Sequence, residues 1–157
     1  MKQDLSKAMQ CYRKAAQLGD KLAMVNVGVH YYYGSGVKQN YQQALYWFNR
    51  AANVAHDHHA QYMLALMYAK GRGVHKDVTH AKKLLTAVGE YYYRSQILDE
   101  AAKRKAYVDM FVTYQIAQFL GKTLDESQFD LSMIENAKRL SEDMAKDCSA
   151  NDFTPVA

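Results

Sequence analysis

Between residues 21 and 87 the apolar positions recur at a spacing near 3.6 residues and not 2. Ala23, Val27 and Tyr31 share one stripe, and Tyr41, Ala44, Leu45, Phe48, Ala51 and Ala52 share the next. This pattern predicts two amphipathic helices. It then repeats. Tyr-Tyr-Tyr-Gly-Ser-Gly-Val at 31–37 reappears as Tyr-Ala-Lys-Gly-Arg-Gly-Val at 68–74, a displacement of 37 residues. At the same shift Ala23 maps to Ala60, Val27 to Leu64, Gly28 to Ala65, Ala44 to Ala81, and Trp47-Phe48 to Leu84-Leu85. A partial copy lies upstream, displaced by 36, where Asp4, Leu5, Ala8, Tyr12 and Ala15-Ala16 match Asn40, Tyr41, Ala44, Phe48 and Ala51-Ala52.

Each unit therefore reads as helix, turn, helix. Gly34 and Gly36, like Gly71 and Gly73, sit where the first helix must stop, since glycine takes left-handed backbone angles at little cost. Asp4, Asn40 and Asp77 occupy equivalent positions and are the expected N-caps, with Asn40 to Gln43 at capping-box spacing. Gly28 and Ala65 permit close helix approach, while Tyr31, Tyr68, Trp47 and Phe48 fill the space between helices. Such a pair cannot bury its apolar face alone. Stacked neighbours must supply the core, which makes the expected fold an all-α solenoid.

From residue 90 the repeat gives way to three expected helices, near 90–104, 106–120 and 126–148. The middle one carries Val108, Phe111, Val112, Ile116, Phe119 and Leu120 on one stripe and Tyr107, Met110, Tyr114 and Ala117 on another, so it should be sandwiched. Asp109 within it is expected to be a paired carboxylate. The last helix is expected to open at Thr123 to Glu126 and to close the stack with Met133, Ala137, Leu140, Met144 and Cys148. The expected division is thus 1–89, repeats, and 90–157, a helical cap on the same solenoid.

Composition narrows the function. No run of apolar residues is long enough to span a membrane. As written the chain reads as cytoplasmic; a removed signal peptide would make it periplasmic or secreted. Cys11 and Cys148 stand far apart in sequence, forming no metal or redox motif, and both are expected to be buried thiols. Residues 1–122 hold 17 basic and 8 acidic side chains, and 123–157 hold 3 and 8. The basic excess could steer an acidic partner, yet only Lys103-Arg104-Lys105 forms a run, so nucleic acid is not an expected partner. No cofactor and no physiological metal is expected. The one dense polar cluster, His56-Asp57-His58-His59, reads first as an inter-repeat turn; a metal-dependent binder or hydrolase using His56, His58 and His59, joined by His75 or His80, is the alternative.

These residues resemble the SEL-one-like repeat family, relatives of the tetratricopeptide repeats. The match runs through Ala23, Gly28, Tyr31, Gly34, Gly36, Val37, Asn40, Ala44, Trp47, Phe48, Ala51 and Ala52. The third unit departs from it, with Leu84-Leu85 for the aromatic pair and Val88-Gly89 for the double alanine. The resemblance implies a right-handed solenoid and a non-enzymatic adaptor, holding another protein or peptide in a signalling, envelope, virulence or toxin-neutralising assembly. In repeats of this build the first helix of each pair lines the concave face. Asn26, Val29, His30 and Tyr33, with Met63, Leu66, Met67 and Lys70 one repeat on, are therefore the expected groove residues, a use that suits tyrosine and methionine. Self-association through an open repeat edge is the further expectation, because the chain begins at the second helix of a unit.

Overall fold

The computed structural model describes residues 2–96 and 101–147. Seven α-helices follow one another: α1 (Lys2–Gln17), α2 (Lys21–Tyr33), α3 (Tyr41–Val54), α4 (His58–Lys70), α5 (Val78–Gln96), α6 (Ala101–Phe119) and α7 (Leu131–Asp147). A short 3₁₀ turn, Glu126–Gln128, precedes α7, and no strand occurs among the described residues. The chain forms two compact units that divide at Met63 and Leu64, inside α4. In the first, α2 packs on both α1 and α3; in the second, α5 packs on α6.

The turns reproduce the sequence repeat bond for bond. In the first unit Ser35 N–H donates to His30 O at 2.9 Å and Asn40 N–H to Tyr31 O at 2.9 Å. Thirty-seven residues on, in the second unit, Arg72 N–H donates to Met67 O and Asp77 N–H to Tyr68 O, both at 2.9 Å. Gly34 and Gly71 hold φ of 72° and 69°, the left-handed region where a side chain is strained, and Gly36 and Gly73 both hold 74°. Asn40 and Asp77 then cap their helices, accepting from Gln43 N–H and His80 N–H. The reciprocal half of the expected capping box is replaced, because the Asn40 N–H is already spent on Tyr31.

The core of the first unit rests on Gly28. A β-carbon there would lie 2.6 Å from the Phe48 ring, so the bare backbone of α2 is what lets α3 approach. Ala16, Met24, Val27, Ala44, Phe48 and Ala51 are all buried around it. Trp47 is buried too, with Tyr46 edge-on at 5.1 Å and the Arg50 guanidinium 5.5 Å from its ring.

Several expectations need correction. The helix expected to begin at 90 is the continuation of α5, which runs unbroken from Val78 through Val88-Gly89 to Gln96, so the expected boundary at 89 falls inside a helix. Gly89 is buried where a β-carbon would meet Phe111 at 3.2 Å, so it serves as a small contact residue for α6 and does not stop the helix. The last helix starts at Leu131 and not near 126, because Asp125 caps only the 3₁₀ turn while Asp130 caps α7, accepting from Ser132 N–H and Oγ. Asp4 is the third residue of α1, inside the helix, and so does not stand at a cap position. Cys11 is exposed, since the tryptophan position of the partial copy faces outward on α1. Asp109 is exposed as well, on the polar edge of an otherwise apolar α6. Cys148 lies outside the described residues.

In the second unit, α6 and α7 are joined by a part-buried polar chain, in which Gln115 and Ser141 are buried and Gln118 is exposed. Gln115 Nε2 donates to Gln118 Oε1 at 2.9 Å, and Ser141 Oγ donates to the same oxygen at 2.7 Å. Ala137, Leu140 and Met144 are buried on α7 as the sequence spacing predicts, but Ile134 takes the buried place expected of Met133, which is only half-buried.

Candidate functional site

The eight expected groove residues separate by burial. Asn26, Val29 and His30 are buried in the first unit, Met63 is buried at its end, and Met67 is buried in the second. None of these five presents a side chain to solvent, which corrects their assignment to an open groove. The cause is visible in the sequence of α2. Ala23 through His30 are all buried, because a helix with apolar residues around its whole circumference is enclosed between neighbours and has no free face. His30 packs 5.8 Å from the Tyr12 ring, and its Nδ1 lies 2.8 Å from Ser35 O, inside the repeat turn. Asn26 keeps its side-chain oxygen buried without a hydrogen-bond partner. Tyr33 and Lys70 are exposed and Leu66 is half-buried, each at or near the end of its helix.

Around Tyr33 the first unit builds a surface that periodicity alone does not show. Tyr33 is 47% exposed and sits edge-on to Tyr32 at 4.8 Å, while the half-exposed Tyr41 lies 5.3 Å from the same ring. Gln39 fixes the arrangement. Its amide Nε2 lies 2.9 Å from Tyr32 O, to which it donates, and 3.3 Å from the Tyr41 hydroxyl. Two tyrosines are thus presented on a braced turn, which limits the side-chain entropy that a partner must overcome.

The histidine cluster has a structural task. Asp57 caps α4, accepting from Ala60 N–H at 2.9 Å, and its own N–H donates to Ala51 O. Asp20 does the same for α2, accepting from Ala23 N–H while its N–H donates to Ala15 O. His56, with φ of 52°, takes the left-handed position that Gly19 holds one repeat earlier. His58 Nδ1 lies 3.2 Å from Gln61 Oε1, and burial lowers the pKa of its ring below the ordinary histidine value, partly offset by that hydrogen bond and by Asp57. His59 Nδ1 lies 3.9 Å from Asp57 Oδ1. His75 is exposed and His80 packs edge-on against Tyr68 at 4.4 Å. Among the described residues no three His, Cys, Asp or Glu side chains converge as a metal set.

Fold and turns together define an all-α helical-repeat protein of the solenoid class, in which a two-helix unit is rebuilt from the same short-range hydrogen bonds. The Sel1 repeat family model matches residues 1–20, 21–56 and 58–87, and the chain belongs to the Sel1 repeat family. It is 39% identical over 77 residues to protein sel-1 homolog 2 of Homo sapiens, a match covering 49% of this chain and 11% of that protein. It is 32% identical over 96 residues to the ERAD-associated E3 ubiquitin-protein ligase component HRD3B of Arabidopsis thaliana, covering 42% and 16%. The chain thus spans only a small part of these curated relatives. Among solved structures, a protective antigen of uropathogenic Escherichia coli strains displaying an SLR fold aligns with TM-score 0.55 and 26% identity, over 94% of this chain and 27% of that one. A Sel1 repeat protein from Oxalobacter formigenes aligns with TM-score 0.53 at 20% identity, over 88% and 64%, and supports the fold.

Proposed function

We propose that this chain is a non-catalytic adaptor that holds a segment of a partner protein, and that Tyr33 and Tyr41 form part of the surface that holds it. Sel1 repeats typically serve as protein-binding scaffolds, and the relative in Arabidopsis thaliana is named as a component of a larger ligase. No helix among the described residues is long and apolar enough to cross a membrane.

The observation that carries the reading is the braced tyrosine pair. Tyr32 packs against both rings and Gln39 reaches the Tyr41 hydroxyl, leaving Tyr33 exposed and Tyr41 half-exposed. Tyr33 and Tyr41 offer ring faces to apolar side chains and hydroxyls to backbone carbonyls. Affinity capture from the native cell lysate, comparing wild type with Tyr33→Ala/Tyr41→Ala, tests this. The expected result is at least one protein retained by wild type and lost from the variant, with circular dichroism unchanged. Identical captured proteins for both would remove the tyrosine surface from the function.

A further inference from the structure

A cleft of about 450 Å³ opens in the second unit between the start of α5 and the end of α6. Its floor is apolar, from Val78, Ile116, Ala117, Leu120 and Leu124. Its rim is cationic: Lys76, Lys82 and Lys122 line it, all three exposed, and no carboxylate does. Two acids adjoin the lining in sequence, and both are turned to local donors: Asp77 accepts from the N–H of His80, and Asp125 from the N–H and Oγ of Ser127.

Both edges are held by backbone bonds. On one side Ala81 N–H donates to Asp77 O and fixes the first turn of α5, placing Lys76 and Lys82 either side of the cap. On the other, Gly121 at φ of 66° reverses the chain after α6, and Lys122 N–H returns to Ala117 O at 2.8 Å. An apolar trough whose charged rim carries one sign only is complementary to a chain that alternates apolar and acidic side chains. Its size lies within the roughly 300–1,000 Å³ typical of ligand sites. The lining has no aromatic ring on which a nucleobase could stack, so nucleic acid is disfavoured.

We infer that this cleft is a second docking site, which takes an acidic, leucine-bearing segment of a partner protein, its carboxylates on Lys76, Lys82 and Lys122 and its apolar side chain on Ile116 and Leu120. Taking the occupant to be protein rests on the adaptor reading; the site itself is separate from the tyrosine surface.

The probe is a fluorescein-labelled peptide of alternating glutamate and leucine, followed by fluorescence anisotropy on the full chain. A glutamine-for-glutamate peptide and a thymidine oligonucleotide serve as comparisons. The acidic peptide should bind, weaken at least fivefold between 20 and 300 mM NaCl as charge screening requires, and lose tenfold or more with Lys76→Ala/Lys82→Ala/Lys122→Ala. A charge-matched control, Lys7→Ala/Lys14→Ala/Lys38→Ala, should lose less than threefold. Carbodiimide cross-linking of the wild type, which needs no variant to fold, should join the peptide to the three cleft lysines.

Equal losses in the cleft and control variants, equal binding of the glutamine peptide, or cross-links elsewhere would overturn the inference. Tighter binding of the oligonucleotide would reassign the cleft to nucleic acid, and a dimer in sedimentation that the cleft variant abolishes would reassign it to a second copy; either overturns it. Failure of the peptide with Tyr33-dependent capture intact would remove this site alone and leave the adaptor reading standing.

Discussion

Gly28 and Phe48 are one decision made by two residues. In the next repeat the equivalent positions are Ala65 and Leu85, both buried, so a β-carbon is present where the facing side chain is smaller. Gly28→Ala should therefore destabilise the protein by about 1 kcal/mol, overpacking against Phe48 outweighing the better helix propensity of alanine. Adding Phe48→Leu should restore part of the loss, with a coupling of about 1 kcal/mol in a double-mutant cycle read by urea unfolding. His56 carries the opposite defect, a left-handed residue with a β-carbon. His56→Gly should raise stability by about 1 kcal/mol in the same assay.

At the scale of elements, the turns and the buried stripes of α3 and α6 are legible in the sequence, whereas the full enclosure of α2 is not. A turn of this kind is written in single residues: Gly34 because of its positive φ, Asn40 and Asp77 because a short oxygen must reach an N–H three residues on. Their spacing is the spacing of the bonds, so Gly34, Gly71 and both caps could be placed beforehand. A helix face is set by what packs on it from elsewhere in the chain. Asn26, Val29 and His30 occupy positions that could face a groove, and only the enclosure of α2 between α1 and α3 shows that they do not. Gly89 shows the same dependence on distant packing. A glycine can stop a helix or let another approach it, and the choice depends on Phe111, which is 22 residues away.

The start of α4 also predicts a pH response. His58 has a lowered pKa in the folded chain, chiefly because burial disfavours its charged form, so the unfolded chain binds the proton more readily. Its contribution is then complete above the unfolded value of about 6.5 and is lost as the pH falls through the folded value. The melting temperature should decline from pH 7 toward pH 5, and His58→Gln should flatten that part of the curve. An unchanged slope in the variant would assign the response to other groups.

For the whole molecule, the repeat code supplies rigidity and leaves function to the surface that the code does not use. The turn that reads Gly-Ser-Gly-Val before Asn40 carries Gln39, which no packing rule requires, and Gln39 is what braces Tyr41. Trp47 and Phe48, both among the motif residues, are buried and serve the fold. The residues proposed to meet a partner lie between the motif positions, and for that reason a motif search finds the scaffold more readily than the site.

The most direct measurement is hydrogen–deuterium exchange on the full chain, alone and with its captured partner bound. Protection should be concentrated in peptides covering 31–41, with exchange across α3 little changed. Protection confined to other parts of the chain, with 31–41 exchanging as in the free protein, would contradict the assignment of the tyrosine surface as the place where this repeat protein holds its partner.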